Sequence, residues 1–95
     1  MKVIRKTTQF KKDFKKIRHV IEKVKALLEI VKLLELEKEI PLENKPHRLI
    51  GDFNQYMECH VEDDLLLIWF DRDKDIIKLV RLGTHSELFG KGKKR

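Results

Sequence analysis

The chain has 95 residues, enough for one modest core and too few for two. With 41% hydrophobic and 40% charged residues, four glycines and two prolines, it is neither collagenous nor a low-complexity linker. Twenty-two basic against sixteen acidic residues leave a formal charge of +6, which favours a polyanionic partner without choosing between nucleic acid and an acidic protein.

Met1 to Phe10 is basic and lacks the apolar stretch of a secretory signal, and the single Cys59 allows no intramolecular disulfide. The longest apolar run, Leu65 to Phe70, falls far short of the about 20 residues that cross a bilayer. A cytoplasmic setting and no membrane contact are expected. The charge is segregated: residues 1–25 hold ten basic and two acidic side chains, 26–64 four and ten, and 65–95 eight and four. Two basic surfaces around an acidic middle fit an electrostatic footprint, and they also fit a lysine-rich solubilising face.

Val3 and Ile4 predict a short strand, after which Thr7 or Thr8 can cap a helix. Phe10, Phe14, Ile17, Ile21, Val24, Leu28 and Val31 recur at steps of four and three, with Leu27, Ile30 and Leu34 widening the stripe. No Gly or Pro interrupts residues 9–40, so one long helix and two helices broken near Arg18 and His19 are both consistent, with Pro41 as the stop. Glu43 to Pro46 reads as a polar connector. Tyr56 to Val61, Leu65 to Phe70 and Ile76 to Leu82 then predict three antiparallel strands joined by acidic links. The expectation is an α+β fold over residues 1–90, a meander covered by helices, with 91–95 as a basic flexible tail.

Three of the four histidines lie outside the helical region: His47 ends the connector, His60 ends a strand and His85 follows the last strand. His60 and Asp64 bracket a tight turn, and Arg81 and His85 bracket Gly83, where a missing side chain permits a bend or close approach by substrate. Imidazoles, a carboxylate and a guanidinium on a basic domain suit RNA cleavage without a metal. There the 2′-hydroxyl attacks the adjacent phosphorus, one group takes its proton, another protonates the leaving 5′-oxygen, and a cation offsets the developing charge. No zinc-ligand spacing, Gly-rich phosphate loop or G-x-S-x-G elbow is present, so neither metal nor cofactor is expected.

The run Lys45-Pro46-His47-Arg48-Leu49-Ile50-Gly51, then Tyr56 to Asp64 followed by Leu65 to Trp69, then Arg81-Leu82-Gly83-Thr84-His85 through Leu88-Phe89, resembles the YafQ-type toxins of the RelE superfamily. The match covers roughly residues 45–90 in order and spacing, while 1–44 share only the general layout. It implies a RelE-like fold and a bacterial toxin that cleaves mRNA on the ribosome. It also implies a cognate antitoxin that holds the toxin inactive in a heteromeric complex, the free toxin being a monomer. Carried over by position, the functional residues are His47, His60, Asp64, His85 and Phe89, with Arg81 on the phosphate. His85 is then the leading acid and His60 with Asp64 the proton-accepting pair, an assignment in which acid and base can be exchanged; His47 is a second imidazole and Phe89 a stacking platform for a base. Lys11 and Lys15 on the basic first helix are expected to meet RNA.

The chain departs from the family pattern at Pro46, Met57-Glu58, Asp63 and Trp69, none of which removes a candidate catalytic side chain. Two other readings compete. One is a non-catalytic module, either a coiled-coil partner or a basic nucleic-acid binder. The other is a gyrase poison of the same superfamily, which the histidine set disfavours.

Overall fold

The computed structural model describes residues 1–90. The tail expected over 91–95 lies outside them. The elements are β1 (Val3–Lys6), α1 (Thr8–Ile17), α2 (Ile21–Glu35), β2 (His47–Arg48), β3 (Tyr56–Glu62), β4 (Leu65–Phe70), β5 (Ile76–Gly83) and α3 (His85–Phe89). Short 3₁₀ turns at Leu42–Asn44 and Gly51–Phe53 flank β2. The α+β reading holds, with two helices rather than one.

Thr7 is the cap of α1: its hydroxyl accepts from Phe10 N at 2.9 Å and donates to Val80 O at 2.8 Å, joining the helix to β5. The helical run breaks after Ile17, where Val20 takes an extended conformation and its carbonyl starts α2. That break resets the phase of the apolar stripe. A continuous helix would bury Ile21 and Leu28, yet these are 63% and 59% exposed, and α2 buries Leu27, Ile30 and Leu34 instead. The helix also ends before Pro41. Glu37 turns left-handed at φ 60°, and Lys38 N bonds Leu33 O, which closes the last turn in the manner usually given to glycine.

The sheet has five strands in the order β1-β5-β4-β3-β2, with β1 parallel to β5 and the other pairs antiparallel. The three predicted strands lie where expected to within one residue, while β2 is a two-residue edge strand that begins at the end of the polar connector, where no strand was expected. Cys59, Val61, Leu65, Leu67, Trp69, Ile77, Leu79 and Leu82 pack with Phe10, Ile17, Leu27, Ile30 and Leu34 into one core. Burying a leucine such as Leu67 completely contributes about 2 kcal/mol.

The other face of the sheet carries the polar residues. Directly opposed residues of adjacent strands share a face, so the register puts His47, Glu58, Ile68 and Arg81 in one row and His60, Leu66 and Gly83 in the next. Bulges make this possible. In β5 the register slips at Val80, so Leu79 faces the core opposite Trp69 while Arg81, opposite Ile68, falls on the far face. Because β1 ends at Lys6 opposite Leu79, the outer edge of β5 beyond that point lacks a strand. Thr7 and Asp13 of α1 take its place, Asp13 Oδ2 accepting from Leu82 N at 2.9 Å.

Candidate active site

His85 opens α3, and the sequence around it fixes that start. Thr84 and Glu87 form a reciprocal capping box, Thr84 N donating to Glu87 Oε1 at 2.8 Å and Glu87 N to Thr84 Oγ1 at 3.2 Å. The packing of this helix calls for Gly83. A Cβ on it would stand 2.9 Å from Glu87 Oε1 and 3.3 Å from Leu88 Cδ2. Gly83→Ala is therefore expected to push α3 off its cap and to cost about 1–3 kcal/mol, read by thermal unfolding.

The structure brings His60, Asp64 and His85 together. His85 Nδ1 lies 2.6 Å from Asp64 Oδ1, which also accepts from His85 N at 3.3 Å. The hydrogen bond from the His85 ring is the main cause that holds the Asp64 carboxyl below its ordinary range. The carboxylate pairs with His85 and not with His60, contrary to the assignment made from the turn spacing. His60 is oriented by a different group: its Nδ1 donates to Asp63 O at 3.1 Å. The strand bulge between His60 and Glu62 and the left-handed Asp63, φ 24°, turn that carbonyl back toward the ring. The two rings are neighbours, with centroids 5.8 Å apart and planes tilted by 59°.

A carbonyl can only accept, so Nδ1 of His60 carries a proton and Nε2 is the nitrogen left for other partners. Nδ1 of His85 meets a carboxylate instead, a stronger acceptor than a carbonyl. The two imidazoles thus differ in what holds Nδ1, a carbonyl for His60 and a carboxylate for His85.

His47 enters from β2, with Nδ1 2.7 Å from Lys45 O and Nε2 3.1 Å from Glu58 Oε1. Arg81 reaches over the edge of β5 to Asp13, Nε to Oδ2 at 2.9 Å and Nη2 to Oδ1 at 3.3 Å. Burial pushes the Asp13 carboxyl up, but the bonds from Arg81, Leu82 N and Gln9 outweigh it and leave it below the usual carboxylate range. Lys11 and Lys15 stand on the exposed face of α1. Phe89 closes α3 and meets Phe53 edge-on at 6.3 Å, making a pair of aromatic rings where the sequence suggested one. Cys59 faces the helical core, and burial pushes its thiol up to about 12.

Asp13, Glu58 and Phe53 were not legible as partners of the site. Asp13 occurs within a lysine-rich helix and Glu58 within a strand, and only a carboxylate at a core-facing or central-strand position could have signalled them.

Residues 2–90 match the family described as a bacterial toxin of type II toxin-antitoxin system, YafQ. The mRNA interferase toxin YafQ of Escherichia coli is 36% identical over 85 residues, covering 86% of this chain and 89% of that protein. A metal-bound toxin from Helicobacter pylori is 36% identical with a TM-score of 0.84, covering 94% of this chain and 100% of that one. A chain of the Escherichia coli DinJ-YafQ toxin-antitoxin complex is 30% identical with a TM-score of 0.81, covering 94% of this chain and 98% of that one. The chain belongs to the YafQ family of bacterial type II toxin-antitoxin toxins.

Proposed function

We propose that this toxin is an endoribonuclease that cuts mRNA on the ribosome. The observation that carries the reading is the pair of neighbouring imidazoles, His60 held by a carbonyl and His85 by a carboxylate. In the reaction His60 Nε2 takes the proton of the 2′-hydroxyl as that oxygen bonds to phosphorus. The bond from phosphorus to the 5′-oxygen breaks, and His85 protonates the leaving oxygen. The products are a 2′,3′-cyclic phosphate and a 5′-hydroxyl. No metal enters this scheme.

Arg81 supplies positive charge on the same face of the sheet, held by Asp13 so that little reorganisation is needed when charge develops at phosphorus. His47 adds an imidazole from the same row as Arg81. Phe89, with Phe53, offers a ring for a splayed base, and Lys11 and Lys15 extend a basic surface toward ribosomal RNA. Residues 1–90 form the toxin domain in this reading.

The named Escherichia coli relative is an mRNA interferase, and the DinJ-YafQ complex pairs such a toxin with its antitoxin. By extension this chain works in the cytoplasm, is monomeric when free and is silenced by a cognate antitoxin. Among the described residues no helix is long and apolar enough to cross a membrane. The coiled-coil reading loses the long helix on which it depended.

Induced expression without antitoxin should arrest growth and cleave transcripts. Arrest with intact transcripts would contradict the reading. Asp64→Asn keeps the shape but removes the charge beside His85, and is expected to lower cleavage by about 10²-fold or more with the fold intact. Primer extension on ribosome-bound message is the measurement.

A further inference from the structure

The open face of the sheet does not end at the row that holds Arg81. The next row along the strands is Tyr56, Phe70, Lys78 and Arg5, since Tyr56 stands opposite Phe70, Phe70 opposite Lys78 and Lys78 opposite Arg5. Their chain neighbours Met57, Trp69, Ile77 and Ile4 pack on the helical core, which puts this row on the same face as His60 and Arg81. The mechanism above gives these four side chains no part.

Leu66 and Ile68, the apolar residues of β4 nearer the histidines on this face, are 0% and 6% exposed, whereas Tyr56 and Phe70 are partly open and Lys78 and Arg5 are exposed. The two rings meet edge-on with centroids 5.9 Å apart and planes inclined by 63°. A cross-strand pair of this kind supports the sheet, and here it also leaves aromatic surface beside two cations. Among the described residues neither Lys78 nor Arg5 has a carboxylate partner, while Lys2, Lys16 and Arg81 each have one. Accessible rings on adjacent strands, flanked by free cations, are the means by which a sheet face holds single-stranded RNA: bases stack on the rings and phosphates meet the charges.

Position ties this patch to the reacting phosphate. Along β3 the Tyr56 row lies about 13 Å from His60, a span that an extended RNA strand covers within a few nucleotides. The 2′-oxygen whose proton His60 takes belongs to the nucleotide 5′ of the cut, and Tyr56 is on the strand of His60. Phe89 is on the helix of His85, which serves the nucleotide 3′ of the cut.

We propose that Tyr56 and Phe70 form a stacking subsite for a base on the 5′ side of the cut, with Lys78 and Arg5 holding the adjoining phosphates. This rests on the ribonuclease reading above. The turn that follows Phe70 carries Asp71, Asp73 and Asp75, which repel phosphate and so bound the subsite at that end.

The test sets the message against the rings. Full-length toxin is added to ribosomes stalled on a defined message in which one base at a time around the cut is replaced by an abasic ribose. For wild type, loss of one base on the 5′ side should slow cleavage about 5- to 100-fold, the usual contribution of one stacked base. Tyr56→Leu and Phe70→Leu should slow cleavage of the intact message and respond far less to that abasic position, whereas Tyr56→Phe keeps the ring and should cut like wild type. Lys78→Gln should slow all the messages alike, because a phosphate contact carries no base information. Ring variants that lose activity yet stay as sensitive to base removal as wild type overturn the proposal, since the rings then support only the sheet. A second arm needs neither cleavage nor a substituted protein: a message with a 2′-deoxy nucleotide at the cut and a photoreactive base on its 5′ side is irradiated with wild type bound. Crosslinks should map to Tyr56 or Phe70, and their absence from both rings overturns the proposal even if the Leu variants do not fold. A wild type that crosslinks there but cuts no message would sink the ribonuclease reading and leave the subsite standing.

Discussion

His85→Ala is expected to reduce mRNA cleavage by about 10²–10⁴-fold, the usual contribution of one general acid, and to abolish growth arrest on induction. The loss should fall on kcat. His85 is the first residue of α3 and about two-fifths exposed, so removing its ring leaves the core and the Thr84–Glu87 cap untouched. Thermal unfolding should therefore stay close to wild type. His60→Ala should cost a similar factor, since it removes the lone pair that receives the 2′-hydroxyl proton. Because the two rings serve the same phosphoryl-transfer step, the double variant should be far less impaired than the product of the single losses. An equally toxic His85→Ala protein would remove His85 from the mechanism.

Asp13→Ala is expected to produce the largest loss of stability, about 3 kcal/mol, because it leaves the Arg81 charge and the Leu82 N–H without their partner at the uncovered edge of β5. For a chain of 95 residues that corresponds to a fall in Tm on the order of 15 °C. The same carboxylate gives the fold an acid limit. Its folded-state pKa is depressed, so its contribution is fully present above the unfolded carboxylate value near about 3.9 and is lost as pH falls through the lower folded value. Denaturant unfolding of wild type should weaken over that acid window, and Asp13→Ala should flatten the dependence. Cleavage should fall in the same variant, since Arg81 is no longer held. A variant within about 0.5 kcal/mol of wild type would show that the pair does not anchor α1 to the sheet.

The meander was legible because its strands are dense in leucine, β-branched and aromatic residues and are punctuated by acidic turns. The histidines stood out because they flank those strands. What local pattern could not give is anything that depends on strand neighbours. His47 and Arg48 are too short a strand to announce themselves, and pairing with β3 alone makes them one. The apolar stripe of residues 10–31 ran on by arithmetic, but the break at Val20 turned Ile21 and Leu28 outward. Asp64 sits four residues from His60 and twenty-one from His85, and the turn of β3 into β4 delivers it to the more distant ring. The bulge at Val80 likewise moves Arg81 to the face opposite Leu79, against simple alternation.

The central claim is that His60 and His85 exchange protons with the 2′- and 5′-oxygens of one RNA phosphodiester. Its most direct test is the chemistry of the cut ends. Purified toxin, freed of antitoxin and treated with a chelator, is added to ribosomes stalled on a defined message, and the termini are identified by their reactivity to phosphatase and kinase. A 2′,3′-cyclic phosphate facing a 5′-hydroxyl, formed by wild type and lost in His85→Ala, is the predicted result. Intact message with active wild type, or fragments ending in a 3′-hydroxyl and a 5′-phosphate, would contradict it.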